Sequence, residues 1–295
     1  MIKTLLLLTV AALAAPVRAQ EAPGTPSSPA EATQDPAAAD AAMAGRMMAE
    51  LQPVRRQRLV LWAQPDVLPA DEAQAFAQEL EKGLLAIERL TGEALDRSHY
   101  ADPEVHVFVS GRVTISHVYG GYAHARYDRP YLFLNPQRVR GRAAPYLHEL
   151  THIVLWRFGS HSLREGFASY VEGRLASEGV GYNSGVFGPE PRAEVDAAAA
   201  SALGGEAGKA VLPWIGRSGA TDPAITAAAS PETRAAFYLL ARSFVHHLLD
   251  TVDLPTFIRL YRAEDTEAAY NALTGRSLEQ WRESWQQSLA RQQTP

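Results

Sequence analysis

The 295-residue sequence contains no cysteine. This absence excludes disulfide bonds, thiolate metal ligands and cysteine nucleophiles together. Any metal site in the chain must therefore be built from nitrogen and oxygen ligands. The absence is also compatible with an oxidising compartment outside the cytoplasm, because a chain without thiols is unaffected by it.

The chain also lacks an excess of positive charge. It carries 28 basic and 33 acidic residues, a formal net charge of −5. The first 19 residues contain Lys3 and Arg18 and no acidic residue, so the remainder has 26 basic and 33 acidic residues, a net charge of −7. This balance argues against a nucleic-acid partner. The basic cluster RRQR at 55–58 lies beside a predicted strand, and we interpret it as a solvated sheet edge.

The first 19 residues are predicted to be a cleaved secretory signal. A basic residue, Lys3, precedes an apolar run from Leu5 to Val17, and small residues precede a cleavage site after Ala19. The run is too short to span a bilayer comfortably, although an uncleaved membrane anchor is the alternative interpretation. We therefore expect an exported protein, periplasmic or secreted, with no stable membrane span after cleavage.

Residues 20–50 are predicted to form a disordered tether. From Gln20 to about Ala42 the sequence is rich in alanine, proline and serine, and it has no aromatic or large aliphatic residue. Such a composition cannot bury enough apolar surface to order itself. The folded part is predicted to be one domain, residues 51–295.

Strand patterns occur only in the first half of this domain. RLVLWA (58–63) and VHVFVS (105–110) predict strands, and the segment 69–92 between them has apolar residues at helical spacing. PYLFLNP (130–136) is bracketed by prolines, which predicts an edge strand because proline cannot donate a hydrogen bond within a sheet.

The rest of the chain has helical patterns, at 143–158, 163–176, 191–203, 232–250, 254–262 and 277–291. Strands followed by helices predict an α+β fold in which a small N-terminal mixed sheet precedes a mainly helical C-terminal part.

The motif HELTH carries the chemistry. His148 and His152 lie four residues apart, so on a helix their rings share one face and can point at one ion. Glu149 projects beside that ion, where it can act as a general base on metal-bound water. The helix is apolar around most of its circumference, and burying these three groups together without a partner would be costly.

A metal site of this type needs a third protein ligand. One known pattern has a glycine three residues after the second histidine and a ligand histidine three residues further on. This pattern is excluded, because Leu155 and Phe158 occupy those two positions. His161, in the connection after the motif helix, is one candidate, although we expect it to face solvent. Glu165, at the start of the next helix, is the predicted ligand. Its alternative role is in a capping box with Ser162, whose backbone N–H it would bond.

HELTH followed by LREGFASYVEG resembles the gluzincin zinc metallopeptidases, especially their peptidase-MA-like domains. The resemblance extends over about residues 58–290. It implies a zincin-like fold with an edge strand over the HExxH helix. It also implies that His148, His152 and Glu165 bind Zn²⁺ and that Glu149 is the catalytic base.

The segment FYLLARSFVHHLL resembles the gluzincin helix that carries a tyrosine near the reacting oxygen, with Ala241 and Leu248 at the matching positions. By this resemblance Tyr238 would donate a hydrogen bond to the oxyanion. The alternative for Tyr238 is a core tyrosine. His246 and His247 are alternative donors, and we interpret them as helix-surface histidines.

The expected function is hydrolysis of a peptide or protein substrate by zinc-bound water that Glu149 activates, with the peptide added as a strand along YLFLNP. The alternative is a catalytically idle zinc-binding domain that binds peptides or cell-envelope partners. A structural zinc is disfavoured, because three protein ligands leave a coordination position open.

Overall fold

The computed structural model describes residues 36–96, 98–119, 129–187, 191–219 and 229–292. The predicted signal peptide, the first half of the predicted tether and most of the Gly/Tyr-rich turn at 119–128 lie outside these ranges. The described residues all belong to one compact unit that begins at Asp35.

The described strands form one mixed sheet with the order β1-β2-β3-β5-β4. Strands β2, β3 and β5 are parallel to one another, whereas β1 and β4 run antiparallel at the two ends. The strands are β1 Pro53–Arg55, β2 Leu59–Ala63, β3 Val105–Val109, β4 His117–Val118 and β5 Tyr131–Leu134.

The predicted edge position of YLFLNP is wrong. Strand β5 lies between β3 and β4, and the two-residue strand β4 occupies the edge instead. Pro130 and Pro136 stand just outside the paired residues, so neither removes a hydrogen-bond donor from the ladder.

The second half of the predicted tether, residues 20–50, is not disordered. It forms helix α1, Pro36–Glu50. Ala44 and Met47, one turn apart, are buried against the sheet face that carries Trp62 and Phe108. Alanine favours a helix, and the apolar partner that the local composition lacks is supplied by the sheet. The tether prediction is therefore wrong for residues 36–50.

The opposite face of the sheet is covered by α2, Ala70–Thr91, which ends at the left-handed Gly92 as the pattern indicates. Arg56 and Arg58 of the basic cluster form ion pairs with Glu81 and Glu88 on this helix. These two arginines therefore attach the sheet to α2 and do not form a solvated edge.

The chain after β5 is helical, as predicted, in the part that the structure describes. The helices are α3 Pro136–Arg140, α4 Tyr146–Val154, α5 His161–Ser177, α6 Arg192–Gly204, α7 Glu206–Val211, α8 Pro231–Leu249, α9 Leu254–Arg262, α10 Thr266–Thr274 and α11 Leu278–Gln292. The structure therefore confirms an α+β fold with a small mixed sheet and a helical C-terminal part. Among the described helices, none combines the length and the apolar character needed to cross a bilayer.

Helices α5 and α8 approach each other closely at Gly166. A Cβ atom at this position would overlap the carbonyl group of Ala241 and lie 2.9 Å from Cγ2 of Val245. Because the obstacle is backbone, a side chain at position 166 would push the two helices apart. The glycine that follows Glu165 in the motif is therefore a packing requirement.

We expect Gly166→Ala to lower the free energy of unfolding by about 1 to 3 kcal/mol through overpacking. Gly45→Ala is the matched control, because Gly45 also lies within a helix but nothing stands within 4 Å of its added Cβ. The control is expected to raise stability by about 0.5 to 1 kcal/mol through helix propensity. Urea unfolding of both variants and the parent measures the difference, and equal stability of the two variants would contradict the packing argument.

Candidate metal centre

Helix α4 carries the HELTH motif and is buried along its whole length. The helix is shorter than the predicted 143–158, because it begins at Tyr146 and ends at Val154, with Leu155 as its C-cap. The carbonyl oxygen of Leu155 accepts a hydrogen bond from the Tyr261 hydroxyl at 2.9 Å. This early end lets the chain turn within the twelve residues between His152 and Glu165.

Helix α5 begins with His161, and its N-cap is Ser160, whose hydroxyl accepts a hydrogen bond from the Leu163 N–H. The alternative role of Glu165, in a capping box with Ser162, is therefore wrong. The Ser162 hydroxyl instead accepts a hydrogen bond from the Gly216 N–H at 2.6 Å. This bond connects α5 to the segment between α7 and α8. His161 is buried, so the expectation that it faces solvent is also wrong.

The predicted ligands converge on one point. The Nε2 atoms of His148 and His152 are 3.0 Å apart, and Oε2 of Glu165 lies 3.1 Å from the first and 3.3 Å from the second. All three side chains are buried. In the described part of the chain this is the one group of histidine and acidic side chains with metal-binding geometry.

The tautomer of His148 decides whether hydrogen bonds can hold this cluster together. The Ser169 hydroxyl donates to the carbonyl oxygen of Glu165 at 2.8 Å, so it presents a lone pair to Nδ1 of His148 at 3.4 Å. In the neutral ring this network puts the proton of His148 on Nδ1 and leaves a lone pair on Nε2. That lone pair would face the Glu165 carboxylate, an unfavourable contact that a cation between the two atoms would relieve.

The protonation states also fit metal ligands. Burial, together with the charge of Arg164, lowers the pKa of His152 to about 3, so its imidazole is neutral. Although burial opposes ionisation, the contact with His152 and the positive charge of Arg164 hold the pKa of Glu165 well below its usual range. Metal ligation requires these forms, a neutral imidazole and an ionised carboxylate.

Two neighbours fix the carboxylate of Glu165 through its other oxygen. Oε1 accepts a charge-assisted hydrogen bond from Nη1 of Arg164 at 2.6 Å and lies 3.4 Å from Nε2 of His161. Oε2 is thereby directed toward the two histidines. His161, the rival third ligand, thus contacts Glu165 on the side away from them.

Glu149 is buried beside this group, and burial raises the pKa of its carboxyl to about 7. It interacts electrostatically with His117 on the edge strand β4. The ring of His117 faces an acceptor on each side, the carbonyl oxygen of Ile115 at 3.0 Å and Oδ1 of Asp40 at 3.2 Å. Because both hydrogen bonds need an N–H, this geometry favours the imidazolium.

The pKa of His117 is consistent with that charge. Although burial works against the imidazolium, the hydrogen bond to Asp40 raises the pKa of His117 above its ordinary value. A histidine that favours its charged form therefore lies on the edge strand and interacts with the predicted base. Neither His117 nor its partner on α1 is indicated by any sequence motif, since they are 77 residues apart.

Tyr238, on α8, is brought near the site. Its ring centroid lies 6.5 Å from that of His148 and 4.9 Å from that of Phe187, which stacks on His148. The alternative donors lie elsewhere on α8, with His246 against Tyr170 and His247 hydrogen-bonded to Ser284. Both are half-buried, so their interpretation as surface histidines is wrong.

No sequence pattern indicates Phe187 or Arg164 as residues of the site. Phe187 is a single aromatic residue in a loop, and nothing in its neighbourhood distinguishes it. Arg164 directly precedes Glu165, and a buried arginine next to a ligand leaves no pattern of its own.

Comparisons with protein-family models, with curated proteins and with solved structures each find no match to this chain. The function of the chain must therefore be inferred from the residues of the site.

Proposed function

We propose that the chain is a zinc-dependent metallopeptidase of the gluzincin type. His148, His152 and Glu165 would bind the metal, and Glu149 would be the general base. The observation that carries the proposal is the spacing of the three ligand atoms, 3.0, 3.1 and 3.3 Å. Ligand atoms about 2.0 to 2.2 Å from a tetrahedral zinc lie roughly 3.3 to 3.6 Å apart, which is close to this spacing.

Zinc is favoured over harder cations by the donor set. Two imidazole nitrogens and one carboxylate oxygen suit zinc, whereas Ca²⁺ and Mg²⁺ prefer oxygen ligands. Three protein ligands also leave a fourth position open, as in catalytic zinc sites. When bound there, zinc would supply a Lewis acid that polarises the scissile carbonyl and acidifies a water molecule.

The remaining chemistry belongs to the side chains. Glu149 takes a proton from the attacking water and delivers it to the leaving amine as the peptide bond breaks. Tyr238 is the proposed donor to the oxyanion, supported by its closeness to His148. The contact between Ser169 and Nδ1 of His148 supports the tautomer in which the Nε2 lone pair would be available to the metal.

The substrate strand is proposed to add to β4, His117–Val118, because this strand and not β5 is at the edge of the described sheet. β4 also contacts α4, the helix that carries the motif. This arrangement, an antiparallel edge strand over the motif helix, supports the zincin-like fold. The substrate is therefore a peptide or protein segment that can adopt an extended conformation.

The proposed site of action is outside the cytoplasm, in the periplasm or the medium, as the predicted signal peptide indicates. The same proposal includes no nucleic-acid partner, given the net negative charge.

The test is zinc quantification on the purified chain, combined with digestion of a peptide library before and after chelation. We expect about one zinc per chain and cleavage that stops on chelation and returns with added zinc. Zinc bound without cleavage of any peptide would favour the alternative, a catalytically idle zinc-binding module. A chain that takes up no zinc would contradict both.

A further inference from the structure

A short segment, Asn183–Phe187, follows α5 along the chain and reaches the metal centre, and we call it the strap. Its conformation is fixed by local hydrogen bonds. Oδ1 of Asn183 accepts from the Gly185 N–H at 2.7 Å, and the Ser184 hydroxyl oxygen accepts from the Val186 N–H at 3.2 Å. The strap is therefore an ordered turn.

A buried carboxylate fastens the strap to α5. Oε1 of Glu172 accepts two hydrogen bonds from Ser184, from its N–H at 2.8 Å and from its hydroxyl at 2.7 Å. Glu172 is only 2% exposed, and its Oε2 has no hydrogen-bond partner in the described part of the chain. Burying a carboxylate with one oxygen unpaired lowers the stability of the fold. The two hydrogen bonds that hold Ser184 are therefore made at the expense of stability.

The other end of the strap lies on the metal centre. The ring of Phe187 stacks on the ring of His148, with centroids 3.7 Å apart and an interplanar angle of 15°. Phe187 is 8% exposed and also contacts the ring of Tyr238. One aromatic side chain thus touches both a predicted ligand and the predicted oxyanion donor.

We infer that the strap is a positioning element for the metal centre, in which Glu172 and Ser184 hold Phe187 against His148 and so fix the plane of that imidazole. The inference rests on the proposed metal site. Nδ1 of His148 has one contact of 3.4 Å with Ser169, which alone would leave the ring free to tilt. Stacking over the whole ring face removes that freedom and keeps Nε2 directed at the other two ligands.

Phe187 and Glu172 are positioning residues, because they act on a ligand and touch no reacting atom. The test follows zinc itself. The zinc-loaded full chain is mixed with excess chelator, and the rate of zinc release is measured with a chromogenic indicator. Outer partners of metal ligands typically contribute 10- to 100-fold to affinity, so we expect Phe187→Ala to release zinc about tenfold faster or more.

Variants along the strap separate its parts. Ser184→Ala removes the hydrogen bonds that the Ser184 hydroxyl makes with Glu172 and with the Val186 N–H. It should also accelerate zinc release, but by less than Phe187→Ala. Glu172→Gln keeps an acceptor oxygen for Ser184 and should release zinc at nearly the parental rate. Phe187→Tyr keeps the stacked ring and should also resemble the parent. Val186→Ala is the matched control, since Val186 is the exposed neighbour in the same segment.

The outcomes are distinguishable from failure of the proposed function. A parent that binds and releases zinc, with Phe187→Ala and Ser184→Ala releasing it at the rate of Val186→Ala, overturns the strap inference alone. A parent that takes up no zinc overturns the inference together with the proposed function. Thermal unfolding of the metal-free variants accompanies the kinetics. If Phe187→Ala does not fold, the comparison of Ser184→Ala with Val186→Ala decides the inference.

Discussion

Replacing Glu149 by glutamine is expected to lower kcat for peptide hydrolysis by about 10²- to 10⁴-fold while zinc stays bound. The proposed reaction needs a group that accepts a proton from water and returns it to the leaving amine, and an amide can do neither. Glutamine has nearly the same shape as the buried glutamate, and Glu149 is not one of the three converging ligands. Metal binding and folding should therefore survive.

The measurement is kcat on a peptide identified in the library digest, with zinc content determined on the same sample. Glu206→Gln serves as the control, because Glu206 is an exposed glutamate on α7 with a surface ion pair. Zinc retained together with undiminished hydrolysis would exclude Glu149 as the base. Zinc lost in Glu149→Gln would instead indicate that this carboxylate contributes to metal binding.

The second large effect is expected at Glu165. Glu165→Ala should weaken zinc binding by more than about 100-fold, since even the outer partners of metal ligands contribute 10- to 100-fold. It removes the oxygen that lies 3.1 Å from Nε2 of His148, and it leaves the charge of Arg164 buried without this partner. Equilibrium competition with a chelator of known affinity measures the change.

Two controls accompany this variant. Glu178→Ala changes an exposed glutamate at the C-terminal end of the same helix and should leave zinc affinity at the parental value. His161→Asn tests the rival ligand, and it should weaken binding less than Glu165→Ala because His161 lies 3.4 Å from the outer oxygen of Glu165 and is not one of the three converging ligands. The reverse order would make His161 the third ligand.

Much of the site was predictable because its signal is local. His148, Glu149 and His152 lie within one helical turn, and helix geometry alone puts their side chains on adjacent faces. Glu165 lies on the next helix. Its position near the two histidines was predictable because the connection between the two helices is short. The alternative that made Ser162 the N-cap placed the start of α5 two residues too late, since Ser160 forms the cap.

The parts that could not be predicted depend on contacts between distant segments. Strand β4 has only two residues, and it is a strand because β5 pairs with it, not because of its composition. Strand β5 was predicted from its apolar run, but its neighbours in the sheet are set by tertiary pairing. Phe187 and Asp40 could not be predicted for the same reason. Their contacts with His148 and His117 form only when distant segments of the chain have come together.

Helix α1 has a consequence for the order in which the chain folds. Its buried residues, Ala44 and Met47, pack on side chains from β2, β3 and β5, and Asp40 pairs with a residue 77 positions later. These are contacts of long sequence separation, so loop closure delays them until the sheet has formed. The first helix that the structure describes is thus expected to be among the last to pack. Until it does, the aromatic face with Trp62 and Phe108 is open to water, and we expect the folding chain to be most prone to aggregate in that interval.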